Sequence, residues 1–207
     1  MLALPVAASA QPYPPQTAPT APIVLSRLDE ILLARSAAPP GVSREARVYV
    51  LEKGKYVVAE HGTSGAACMV IRSQVLSLEP ECADAEGDAT VMAMERVRVE
   101  LRYAGRTNAE IDRAVNESLA SGRLRLPRRP AMVYMMSSGQ ILYDENQKFV
   151  GRWMPHTMLY YPFLTSSEIG LAPGPTDIAG PIVDKPGTPY SNVMTVVRTF
   201  VNPAPAP

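Results

Sequence analysis

The sequence predicts an α+β fold: antiparallel strands arranged as a β-meander, joined to a helical hairpin, in a single compact domain with Pro-rich flexible termini. Three observations carry this reading. Short β-rich runs punctuated by Gly and Asx turns occupy residues 48–71 and 132–161. Between them, residues 88–122 carry apolar side chains at helical spacing and end at glycines. The 46% hydrophobic content of the 207 residues is ordinary for one core, whereas the 21 prolines are about twice the usual share and gather at the ends.

The chain opens with Met1-Leu-Ala-Leu-Pro-Val-Ala-Ala-Ser-Ala10, an apolar run before a small-x-small site of the kind signal peptidase reads. Residues 1–10 are therefore expected to be a signal-peptide remnant, although no Lys or Arg precedes the run. Residues 11–22 are a Pro-rich leader that buries no apolar surface. One domain is expected over 23–200, followed by a Pro/Ala-rich tail over 201–207.

Within the domain, Ser26 is placed to cap a short amphipathic helix running to Arg35, which the Pro39-Pro40-Gly41 stretch stops. Residues 48–52, 56–60 and 66–71 then read as three antiparallel strands turned by Lys53-Gly54-Lys55 and by Gly62-Thr-Ser-Gly65. A first helix over 88–104 ends at Gly105, and Thr107-Asn-Ala-Glu110 is a capping box opening a second that stops at Gly122. Residues 132–136, 141–143, 148–150, 158–161 and 193–199 complete the strands, with Asp144–Gln147 as a turn. The segment 172–190, rich in Pro and Gly, is the loosest part.

Cys68 and Cys82 are the only cysteines. In an oxidising compartment such a pair forms a disulfide, and closing this short loop stabilises the fold by about 3 kcal/mol. The spacing is too wide for a CxxC redox centre, and two histidines are too few to complete a structural zinc site. Leader and cysteines together predict an exported protein, periplasmic or extracellular.

Twenty basic and twenty acidic side chains cancel, which removes the long-range field expected of a nucleic-acid partner. No stretch approaches the apolar length of a membrane span.

Four motifs bear on chemistry. In Trp153-Met-Pro-His-Thr-Met158, an extended chain projects Met154, His156 and Met158 to one face, and a hairpin centred between Glu145 and Asn146 sets Met135 opposite His156. Thioethers and an imidazole suit Cu(I), making copper the candidate cofactor, while methionines filling an irregular core account for the same residues. Ser64 with His61 and either Glu60 or Asp84 has the residue types of a hydrolase, although a Gly-rich hairpin turn needs no catalysis. Asp84, Glu86, Asp88 and Glu95 occupy positions 1, 3, 5 and 12 of a calcium loop, but Ala89 stands where that loop requires glycine. The helical hairpin with Arg123, Arg125, Arg128 and Arg129 has the outline of a helix-turn-helix, which neutrality and export argue against.

The sequence thus predicts an exported soluble domain with a non-enzymatic binding or structural role in the cell envelope, its partner an unidentified protein or small molecule. A copper-binding protein and a Ser- or His-dependent hydrolase are the alternatives.

Overall fold

The computed structural model describes residues 16–21, 23–171 and 181–205. The expected signal remnant 1–10, the stretch 11–15 and residues 172–180 of the loose segment lie outside them.

The chain begins with α1 (Arg27–Arg35), where Asp29 N–H donates to the Ser26 side chain at 3.1 Å. A helical turn, α2 (Pro40–Ser43), leads into β1 (Arg47–Glu52) and β2 (Lys55–Glu60). Lys53 and Gly54 join these strands at φ 49° and 76°, the left-handed pair that matches strand twist in a two-residue hairpin. There follow β3 (Ala67–Ile71), β4 (Glu79–Ala83), α3 (Ala85–Ala89), α4 (Val91–Tyr103) and α5 (Asn108–Ala120). The remaining strands are β5 (Ala131–Met135), β6 (Leu142–Tyr143), β7 (Phe149–Gly151), β8 (His156–Tyr160), β9 (Ile182–Asp184) and β10 (Asn192–Val196).

The α+β class stands: one mostly antiparallel sheet of eight strands, ordered β2-β1-β3-β4-β5-β8-β10-β9, carries helices on both faces, and β6-β7 forms a separate ribbon. The expected order of the first three strands is corrected. β1, not β2, neighbours β3, and runs parallel to it with Val48 opposite Cys68. Gly62 shows why. A Cβ there would lie 2.1 Å from the Arg47 nitrogen, and the amides of Thr63 and Ser64 both donate to the Glu45 carbonyl. The Gly-rich stretch 62–65 therefore carries the chain closely past the start of β1 instead of reversing it onto β2.

Two further differences concern elements. The single helix expected over 88–104 breaks at Thr90, whose φ −128° and ψ −80° separate α3 from α4, and Asp84 caps the short first piece. β4 and β9 were not expected at all. Pro80 disguises β4, because proline argues against a central strand. It is tolerated because β5 pairs only with Cys82 and Ala83, leaving the Pro80 end paired with β3 alone.

One sheet face packs Val48, Val50, Cys68, Val70 and Cys82 against Ile31, Leu33 and Ala34 of α1. The other packs Met69, Ala83, Val133, Met135 and Met158 beneath Met92 and Val99 of α4. α5 lies against α4, burying Ile111 and Val115, and begins with the expected Thr107–Glu110 capping box. Cys68 and Cys82 are direct partners across β3 and β4, form a disulfide and are fully buried. On the same side, Arg72 and Glu30 make a buried ion pair at 2.9 Å, and Glu30 also accepts the Leu51 amide. Past the last strand the chain stays docked: Val201 N–H donates to the Met136 carbonyl at 2.8 Å. Among the described residues no helix is long and apolar enough to cross a membrane.

Candidate functional site: the cavity beneath α4

On α4, Met92, Glu95 and Val99 recur at the spacing that faces the sheet. The two apolar members are completely buried, so Glu95 places a carboxyl in the middle of an apolar seam. The sheet supplies a second carboxyl below it. Strand alternation puts Glu81 of β4 on the face opposite Cys82, beside its register partner Met69. Glu81 is only 3% exposed, and its Oε1 has no hydrogen-bond partner among the described residues. Glu79, two residues earlier on that face, accepts from the Ser73 amide at 3.0 Å and from the Ser73 hydroxyl.

Removal from water and mutual repulsion both favour the neutral acid in such a cluster. Burial pushes Glu81 well above the usual carboxylate value, and the charges of Glu95 and Glu79 push the same way. Burial also raises Glu95, against the opposing pull of Arg98, Lys185 and Arg102. Glu79 is raised by burial too, with the Ser73 hydrogen bonds working against it.

Of these three carboxyls, Glu95 lines a cavity of about 400 Å³. Glu95, Arg98 and Arg102 of α4 form one wall, Tyr160 of β8 another, and Lys185 and Tyr190 of the β9–β10 connection close the rim. Arg98 is held by Asp112 of α5 at 2.6 Å and lies 5.6 Å from the Tyr190 ring centroid. Arg102 donates to the Arg72 carbonyl at 3.1 Å. Lys185 has no carboxylate within ion-pair distance among the described residues, leaving its ammonium available at the mouth. At the sheet end, Tyr160 lies opposite Asn192, which donates to Asp184 at 3.3 Å while its Oδ1 has no partner among the described residues. Burial lifts the Tyr160 hydroxyl far above its ordinary value, so it stays a neutral donor. Chemically, the cavity offers the Glu95 carboxyl, which lies 3.7 Å from Arg98 Nε, a phenol, and the cations Arg98, Arg102 and Lys185. A second cavity, of about 350 Å³, shares Ser73 with the first as a lining residue and is also lined by Glu79, Tyr143, Asp144 and Trp153 among others.

The residues singled out from sequence fall elsewhere. Met135 lies directly opposite His156, and Met158 lies two residues further on the same sheet face. All three are buried. Met154 precedes β8, because Pro155 delays the strand, and its carbonyl oxygen meets His156 Nδ1 at 2.7 Å. Burial lowers the His156 pKa, opposed by that hydrogen bond. Ser64 and His61 are not joined by a hydrogen bond: the serine hydroxyl donates to the Glu45 carbonyl, Glu60 pairs with Arg35, and Asp84 accepts from Gly87 and Met132. The calcium-template acids diverge. Glu86 is gripped by Arg125 and Arg129, Asp88 by Arg47 and Arg96, and Glu95 turns to the cavity. Among the described residues no group of three or more His, Cys, Asp or Glu could hold a metal ion.

Glu81 was missed because β4 was missed. The disulfide held the signal: once Cys82 pairs with Cys68, residues 79–83 must run beside 67–71, which sets Glu79 and Glu81 on the face opposite the bridge. No protein-family model, curated protein or solved structure matches this chain.

Proposed function

We propose that this chain is an exported binding protein whose ligand is a small hydroxylated carboxylate, held in the cavity beneath α4. The observation that carries the reading is the lining of that cavity, where the Glu95 carboxyl and the Tyr160 phenol stand beside Arg98, Arg102 and Lys185. Ligand hydroxyls suit the carboxyl and the phenol, and the cations suit a carboxylate. Export is supported by the buried disulfide, a bond that persists in oxidising compartments.

The test is a thermal melt with D-galacturonate, and with D-galactose as the uncharged control. Galacturonate at ten times its dissociation constant should stabilise the protein by roughly 1.4 kcal/mol, which raises Tm by about 3–5 °C. Galactose should do less, and Lys185→Ala should weaken galacturonate binding about tenfold. A melt that galacturonate leaves unmoved at tens of millimolar contradicts the proposal.

A second reading, a Cu(I) site, is favoured by one observation: His156 donates its Nδ1 proton to the Met154 carbonyl, presenting Nε2 as the ligand atom on the face that also carries Met135 and Met158. Protein loaded with Cu(I) should retain metal through gel filtration, and His156→Ala should lose it. Equal retention by the variant removes this reading.

A further inference from the structure

The second cavity adds a surface that a single small ligand does not use. Trp153, the only tryptophan in the chain, is 54% exposed at this cavity, and Val150 and Tyr143 lie beside it. An indole is costly to leave in water over so large an apolar area, and its flat face recognises a flat partner. The carboxyl groups of Glu79 and Asp144 border the same space. A pyranose ring presents that combination: one face of C–H groups to stack on an aromatic ring, and an edge of hydroxyls to hydrogen-bond carboxyl groups. The two cavities are neighbours, with Ser73 lining both. Ser73 is fixed between them by its amide and hydroxyl bonds to Glu79.

Resting on the binding reading above, we infer that the occupant is an acidic oligosaccharide: one uronic-acid unit lies beneath α4 against Arg98, Arg102 and Lys185, and the chain passes Ser73 to stack a further sugar on Trp153. An acidic peptide would satisfy the cations equally well, but it has no ring face for the indole and brings amide groups that need partners of their own.

The lone tryptophan makes the test direct, since fluorescence excited selectively at the indole reports on Trp153 and its surroundings. Tetragalacturonate should shift or quench the Trp153 emission and bind at least about tenfold more tightly than monomeric galacturonate, because linking two engaged units makes the second contact intramolecular. Trp153→Ala, an exposed substitution that should leave the fold intact, should lower tetramer affinity about tenfold while leaving calorimetric binding of the monomer unchanged. Maltotetraose tests the need for charge and tetraglutamate the need for sugar; both should bind at least about tenfold more weakly than tetragalacturonate. The inference is overturned if the tetramer binds no more tightly than the monomer, if it binds without altering the emission, or if tetraglutamate matches it. In each of these cases retained monomer binding leaves the single-cavity reading standing, whereas loss of monomer and tetramer binding together removes both.

Discussion

Glu81 and Glu86 respond to pH in opposite directions. The Glu81 pKa is raised in the folded state, so the native protein binds a proton more readily than the unfolded chain does. The corresponding stability is fully present below the ordinary value of 4.5 and is lost as pH rises through the raised folded value. Glu86 has the opposite sign. The Arg125 side chain and the Arg128 amide hold it down to about 2, so its contribution is present above 4.5 and disappears as pH falls through about 2. Glu81→Gln keeps the neutral shape and removes the titration. We expect it to raise Tm by about 2–4 °C near pH 8, the effect of roughly 1 kcal/mol in a chain of this size, and to change nothing near pH 4. Melts across that range check this, and a variant that melts below the wild type at both ends contradicts it. At the residue scale the sequence was legible where local chemistry decides: Ser26 and the Thr107–Glu110 box cap the helices they appear to cap, and Met135 stands opposite His156. It was not legible for Glu81, whose character comes from β3 and α4, brought together only by folding.

At the scale of elements, α1 is tied to the sheet by more than its apolar stripe. Arg72, at the end of β3, and Glu30 of α1 are 8% and 6% exposed at their side chains, and Glu30 also secures the Leu51 amide of β1. Removing one partner strands a buried charge, so Arg72→Ala should cost about 3–5 kcal/mol, whereas the paired change Glu30→Leu with Arg72→Leu should cost less than the single one. Urea unfolding of both variants measures this, and a double variant less stable than Arg72→Ala would show that the pair itself, rather than the abandoned charge, dominates. The strands with clear β composition were readable along the chain, but their order was not. Whether β3 joins β2 or crosses to β1 depends on how closely Gly62 approaches the Arg47 backbone, a tertiary contact. β4 escaped because Glu79, Pro80 and Glu81 are poor strand formers that the disulfide and the pairing with β3 hold in place.

Across the whole molecule, one sheet separates two different interiors. The α1 side holds the disulfide among aliphatic side chains, and the α4 side holds methionines with the buried carboxyls of Glu79 and Glu81 and the partly exposed Glu95. The first stabilises, and the second is where we propose that the ligand binds. Replacing both cysteines with alanine should cost about 2–4 kcal/mol while galacturonate binding to the folded variant persists, because the bridge faces away from the cavity. Chemical denaturation and calorimetry of the double variant test the two halves of that statement, and a folded variant that no longer binds would contradict the separation.

The proposed ligand cavity is tested most directly by calorimetric titration of D-galacturonate into wild type and Glu95→Gln at about pH 5 and about pH 8. Ionisation of Glu95, whose pKa burial raises, sets negative charge against the ligand carboxylate in the cavity it lines. The account predicts wild-type affinity roughly tenfold weaker at the higher pH and a smaller pH dependence in Glu95→Gln. Binding that ignores pH in the wild type, or no binding heat at either pH, would contradict it.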